Sequence, residues 1–318
     1  MTATAAVQAY EKPLSAVMEA FREREMLFVE PGGNWGDDLI YLGAYALARR
    51  LGVRWRRLTH DEFLAAPVVP EIPVYVHGGG GFNFFCSGKA PSAFFHAIRR
   101  YRSAVVLGPT TVDDAQDYVE STLLPGLEHR AASSIVMFAR EATTLGALRG
   151  RLPEDIALHL DDDTALQLSA GEALESRPME SRYVLLAMRE DNEAPLHGPR
   201  PGMAGVRLDP AYYARSFDHW LRIHALASRI VTNRTHSAII GAVLNKPTVM
   251  FGGAYHKNRS IWEYSLRRRG IEWLEAAATA AKADPVDRRW TEMPVIGRVA
   301  RSYKVQRTLK LLRGVPWE

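Results

Sequence analysis

The stretch from Arg229 to Pro247, RIVTNRTHSAIIGAVLNKP, decides how the chain is read. It opens on an apolar, β-branched run, Ile230-Val231-Thr232, the composition of a buried strand. It closes on apolar residues at helical spacing that end at Asn245-Lys246-Pro247. Between the two stand Asn233, Arg234, Thr235 and His236. A strand that passes into a helix through an arginine and a histidine places both at the carboxyl end of the strand, where open α/β sheets bind ligands.

The same rhythm extends outward in both directions. Strand-like runs at 26–30 (MLFVE), 74–81 (VYVHGGGG), 103–111 (SAVVLGPTT) and 133–141 (SSIVMFARE) alternate with helical patterns such as LIYLGAYALARRLG, PSAFFHAIRRYR and ATTLGALRGRL. The segment 168–182 is polar, contains Pro178 and reads as a linker. A second set follows: YVLLAMRED (183–191), a helix over 212–228, RIVTNR, THSAIIGAVLNK and PTVMFGG (247–253). The expected fold is α/β, with two Rossmann-like doubly wound domains facing across a cleft. The expected boundaries are 1–170 and 171–318.

Composition narrows the class. The 318 residues are 47% hydrophobic and 24% charged, ordinary for a globular protein and enough for two cores. The net charge of +4 suits a phosphorylated or polyanionic ligand without requiring one. One cysteine, Cys86, excludes an intrachain disulfide framework and fits a reducing, cytoplasmic compartment. No run of 18 apolar residues suggests a membrane span, and the N-terminus does not read as a signal peptide. The basic segment 298–313 (RVARSYKVQRTLKLLR) is expected to form a C-terminal helix, docked on the first domain or resting on the inner face of the plasma membrane. Nothing suggests nucleic-acid binding.

Several motifs sit at expected strand ends, each with a structural reading beside a functional one. EPGGNWGDDLI sets Gly32, Gly33 and Gly36 before a helix, with Asp37 and Asp38 as caps or ligand groups. VHGGGGFN has four successive glycines, more than a turn needs, so backbone there is expected to approach a ligand. His77 reads equally as a contact or a core histidine. Arg140 at the end of MFARE offers a planar fork for carboxylate or phosphate, or a structural pair with Glu141 or an aspartate. Asp161, Asp162 and Asp163 are adjacent, so they alternate direction and read as turn and cap; no metal is expected. GGAYHKNRSIWEY adds Tyr255, Lys257 and Asn258. Together these predict a site for a small, doubly anionic ligand.

In this order, the residues resemble the polysaccharide pyruvyl transferase family, in particular its bacterial exopolysaccharide branch. The resemblance spans roughly residues 26–266. It rests on Asn34-Trp35-Gly36-Asp37, Gly78 to Gly81, Pro109-Thr110-Thr111, Ala139-Arg140-Glu141, an aspartate near 162 or 163, Arg189-Glu190-Asp191, Thr232 to His236 with the later Lys246-Pro247, and the Tyr255/Lys257 segment. Two departures are Arg234-Thr235-His236 where Arg-Leu-His is usual, and GGGGFNFF in place of Gly-Gly-Gly-Asn-x-Gly. The resemblance implies a GT-B-like fold. It implies transfer of pyruvate from phosphoenolpyruvate, a co-substrate, to two hydroxyls of a sugar, on an exopolysaccharide or its lipid-linked repeat unit. Phosphate is released and no cofactor is needed. It implies His236 as acid and Asp37 as base. It further implies substrate contacts from Arg140, Arg234, Thr235, Lys257, Asn34, Gly79, Gly80, Asn83 and Tyr255. The competing expectations are a GT-B-type glycosyltransferase using a sugar nucleotide and a non-catalytic sugar- or phosphate-binding protein.

Overall fold

The computed structural model describes residues 13–174, 180–191 and 205–275, which hold two parallel β-sheets with helices between the strands. The first sheet contains β1 (Glu25–Glu30), β2 (Arg54–Thr59), β3 (Val74–Val76), β4 (Gly79–Phe82), β5 (Ala104–Val112), β6 (Ser134–Ala139) and β7 (Ile156–Leu160). Its order is β2-β1-β3-β5-β6-β7, with β4 pairing β5 beside β3. The second contains β8 (Tyr183–Ala187), β9 (Val206–Leu208), β10 (Ala227–Thr232), β11 (Thr248–Phe251) and β12 (Glu272–Leu274), in the order β12-β11-β10-β8-β9. Every recorded pairing is parallel, with registers such as Leu27↔Val74 and Thr232↔Ala187.

The pleat explains why the central strands are apolar throughout. In the first sheet Leu27, Val29, Val76, Leu107 and Met137 join one buried cluster, while the alternating Phe28, Tyr75, Val106 and Phe138 join another. Both faces are covered, as all-parallel sheets require. The second sheet repeats this, with Leu185, Ala187, Ile230 and Met250 in one cluster and Leu186, Val231 and Phe251 in another.

Two expectations change. The segment read as a linker begins with structure: Leu168 and Ala173 are buried in the second sheet's apolar cluster, and a short helix spans Ala170–Leu174. The helix expected over 212–228 divides into Pro210–Tyr213 and Phe217–Ala225, because Ser216 leaves helical geometry to cap the second piece through His219 N–H. The strand-like stretch 74–81 forms two short strands, Val74–Val76 and Gly79–Phe82, and His77 between them is fully buried among Phe28, Tyr41, Tyr45 and Tyr75, the core reading of the two made for it. The basic C-terminal segment lies outside the described residues.

Each sheet changes winding direction once. Connections leave β1 for β2 on one side and then cross to β3 on the other; in the second sheet the same reversal falls between β8 and β10. Crevices form beyond the carboxyl ends of the strands at such reversals. The residues there are Pro31 to Asn34 and Gly78 in one sheet, and Arg189 and Arg234 to His236 in the other.

Candidate functional site

These two groups of loops line one cavity of about 290 Å³. Its walls carry five cationic side chains, Lys89, Arg140, Arg189, Arg234 and Lys257, against one carboxylate, Asp37. Behind the wall, Asp163, Asp191 and Asp209 pair with Arg140, Arg189 and Arg234, so three of the five cations are compensated in part.

The convergence is sharpest at Gly80. A Cβ built there would lie 3.3 Å from Arg140 Nη2, from the first sheet, and 3.5 Å from Lys257 Nζ, from the second. Any side chain at this position would occupy the space between two cations. Arg140 is held rigidly: Nε donates to Thr111 Oγ1 at 2.8 Å and Nη1 to Asp163 Oδ2 at 2.7 Å, with both pair members 1% exposed. The structural pair read for Arg140 therefore exists, with Asp163 as partner, while Nη2 is directed at Gly80. Lys257 is buried and packs its ammonium 5.0 Å above the Tyr255 ring.

His236 lies at the start of the helix Thr235–Val243, and its position depends on a missing side chain. A Cβ at Gly36 would fall 2.4 Å from His236 Nδ1, so only glycine lets the imidazole reach the N-terminus of the helix Trp35–Leu51. On its other edge, Nε2 is 3.6 Å from Asp163 Oδ2. This buried nitrogen has no hydrogen-bond partner among the protein atoms. Asp163 thus stands behind both Arg140 and His236. Burial would raise its carboxyl, but His236 and Arg140 hold it well below the usual carboxylate range, so it stays ionised. The helix behind His236 has no side-chain cap, and Thr235, His236 and Ser237 of its first turn line the cavity. Uncapped N–H groups at a helix start favour an anion.

Arg234 differs from its expected role. Arg234 lines the cavity, but its guanidinium forms a fork-to-fork pair with Asp209 and a further bond from Nη2 to Asp191 Oδ2 at 2.9 Å. Asp191 also accepts from Arg189 Nε at 2.6 Å. Arg234 is therefore a neutralised, buried strut at the strand end rather than an open clamp. Thr235 lines the cavity, yet its hydroxyl donates to Asn258 Oδ1 at 2.7 Å, and Asn258 in turn ties Asn233 and Phe251 carbonyls. Asp37 is a helix cap, one of the two readings made for it, and Asn34, expected only as a substrate contact, is its capping partner. They cap the helix reciprocally, with Asp37 Oδ2 accepting Asn34 N–H at 2.8 Å and Asn34 Oδ1 accepting Gly36 N–H at 2.9 Å, and both line the cavity.

The other expected contacts are indirect. Gly79 is not in the cavity wall; its positive φ of 131° turns the chain where Asp37 and Ile40 press close. Asn83 is consumed within its loop, donating to Gly80 O at 2.7 Å and accepting Phe85 and Cys86 N–H. It fixes the loop that presents Gly80. Tyr255 stands behind Lys257 and packs edge to face with Phe85. Two residues of the site that the sequence reading does not name are Asp209 and Lys89. Asp209 precedes Pro210 and looks like nothing more than a helix cap, which it also is. Lys89 has no local signal. Among the described residues no group of His, Cys, Asp or Glu is arranged to hold a metal, and no helix is long and apolar enough to cross a membrane.

No protein-family model matches the chain, and no curated protein matches it. A solved structure of a functionally uncharacterised protein from Klebsiella pneumoniae subsp. pneumoniae NTUH-K2044 is similar, with a TM-score of 0.60 at 16% identity, covering 86% of this chain and 99% of that one. At that identity the likeness is one of fold: an α/β architecture of parallel sheets.

Proposed function

We propose that the protein is a ketal pyruvyl transferase that moves pyruvate from phosphoenolpyruvate to two hydroxyls of a sugar. The observation that carries the reading is the meeting of Arg140 and Lys257 at Gly80, in a cavity also lined by the His236 imidazole, whose Nε2 faces Asp163. Phosphoenolpyruvate has a carboxylate and a phosphate close together, so it needs cations from more than one direction. In this scheme Arg140, Lys257 and the helix start at Thr235 receive the anionic groups. Arg234, already neutralised, positions that helix start. On this reading the two sheets, each contributing one wall, play the part of the two domains of a GT-B-like arrangement.

The reaction balances without an oxidant. One sugar hydroxyl adds to C2 of the enol while C3 gains a proton; the second hydroxyl then bonds to C2 as the C2–O bond to phosphate breaks. Two hydroxyl protons are lost, one replacing that delivered to C3 and one leaving with phosphate. His236 delivers the proton to C3, oriented by the ionised Asp163. Asp37 receives the proton of the attacking hydroxyl, a role compatible with its cap because it accepts in both. A cavity of about 290 Å³ is at the lower limit of small-molecule sites, roughly 300–1,000 Å³, and so favours a compact donor over a sugar nucleotide.

The test is incubation with phosphoenolpyruvate and a panel of glycosides, reading phosphate release together with the mass of a pyruvate ketal. General acid–base catalysis contributes about 10²–10⁴-fold, so His236→Ala should lose activity by that factor. Turnover of a sugar nucleotide with no consumption of phosphoenolpyruvate would overturn the reading.

A further inference from the structure

We infer that Phe84 and Phe85 form a stacking platform for the pyranose ring of the acceptor, at the mouth of the anion cavity. The inference rests on the proposed pyruvyl transfer for the identity of the neighbouring ligand, but its own evidence is the loop 83–88. Phe84 is 51% exposed and Phe85 45% exposed, consecutive large rings in a segment whose other members are polar or small. Leaving two such rings in water forgoes the free energy of burying them. Their exposure is imposed by the backbone: Asn83 Oδ1 accepts the N–H groups of Phe85 and Cys86, and its amide grips Gly80 O. The same residue therefore sets the rings and the Gly80 backbone between the cations.

The rings are braced but not covered. Phe84 meets Tyr118 near-perpendicularly, at 5.0 Å and 78°, and Phe85 meets Tyr255 at 5.5 Å and 72°. Perpendicular packing fixes a ring through one contact and leaves much of its surface open. Tyr255 links this rim to the anion site, because Lys257 Nζ sits over the same Tyr255 ring and also faces Gly80. Immediately beyond the rings, Cys86, Ser87 and Lys89 line the cavity. Exposed ring faces next to hydroxyl and ammonium groups suit a pyranose, with its C–H faces and hydroxyl edge. Two rings flanked by glycine, serine and lysine are too small an apolar area for a membrane surface.

The experiment uses the full chain and two separate readouts. Methyl glucoside and methyl galactoside are titrated by saturation-transfer NMR, and phosphoenolpyruvate by calorimetry, against the parent, Phe85→Ala, the double variant Phe84→Ala/Phe85→Ala, and Phe85→Trp. Loss of one stacking ring should weaken glycoside binding roughly tenfold. Phe85→Trp should retain glycoside binding, and Phe85→Ala, although it removes a brace of Tyr255, should still bind phosphoenolpyruvate within a few-fold of the parent. That retained binding also shows that the variant is folded. Equal glycoside affinity in the parent and the double variant overturns the platform, as does binding of neutral lipid vesicles that depends on the rings while glycosides do not bind. A parent that binds glycosides through the rings but not phosphoenolpyruvate keeps the platform and overturns the pyruvyl reading instead.

Discussion

At the scale of single residues, buried charge governs the site. Asp163 is 1% exposed and is the carboxylate behind both Arg140 and His236. Removing one partner of a buried pair leaves the other uncompensated, so Asp163→Asn should destabilise by about 3–5 kcal/mol in chemical denaturation. Its carboxyl titrates below the ordinary value of 3.8, so its contribution is present above that pH and is lost as pH falls further; the variant should lack this part of the acid transition. His77 makes the opposite kind of prediction. Burial first, and then Arg57, push its imidazole down from 6.5 to about 3. Above pH 6.5 it costs nothing. Between 6.5 and 3 the unfolded chain takes a proton that the folded chain refuses, so stability falls, with a ceiling of about 5 kcal/mol. Asp38 offsets part of this, since burial, Asp37 and Glu30 raise it to about 6 and the folded state takes up its proton as pH drops below that. His77→Phe should therefore flatten the loss of thermal stability between pH 6.5 and 4; an unchanged acid limb would show that the ring is not held neutral.

At the scale of elements, legibility followed burial. The central strands announce themselves because a parallel sheet covered on both faces makes every position apolar, as in LFV of β1 and LLA of β8. The strands that escaped notice are β2, β7, β9 and β12, which include the sheet edges. RWRRLT of β2 exposes three arginines and needs only one hydrogen-bonded neighbour, so its composition resembles a charged loop. The site divided similarly. Arg140, His236, Lys257 and the glycine loops were legible because they sit at strand ends, and strand ends can be read. The neutralisation of Arg234 was not, because Asp191 and Asp209 are brought together by pairing of β8 with β9, a short edge strand invisible in the pattern. The helix Trp35–Leu51 allows a test at this scale. Its capping box of Asn34 and Asp37 is complete, so Asn34→Ala should cost about 1 kcal/mol in thermal unfolding without any ligand, and Asn34→Ser should restore it. A stability equal to the parent would assign Asn34 to ligand contact alone.

At the scale of the whole molecule, the helix Trp35–Leu51 belongs to both sheets. It follows β1, yet its Leu39 and Ala46 are buried in the cluster that contains Trp220, Ile239 and Ile240 around the second sheet. The Gly36–His236 approach lies on the same seam, as do the bond from Trp35 Nε1 to Ala214 O and the bond between Thr143 and Ser260 hydroxyls. Glu141 is pinned there by Thr144, Ser260 and the nearby His256, which hold its carboxyl down at about 2 against the raising effect of burial. A site whose cations come from two sheets needs those sheets fixed to within an ångström or so, and a shared apolar seam does this more rigidly than a mobile hinge. The consequence is cooperativity. Leu39→Ala should lower stability by about 2–5 kcal/mol, and denaturant unfolding followed by tryptophan fluorescence and by far-ultraviolet circular dichroism should give superimposable single transitions in parent and variant. The fragment 1–170 would expose Leu39 and Ala46 to water and should fail to unfold cooperatively when expressed alone. Two separated transitions in the parent, or a fragment that folds as sharply as the whole, would mean that the seam is a contact between independent bodies and that the convergence at Gly80 is not held rigidly by the fold.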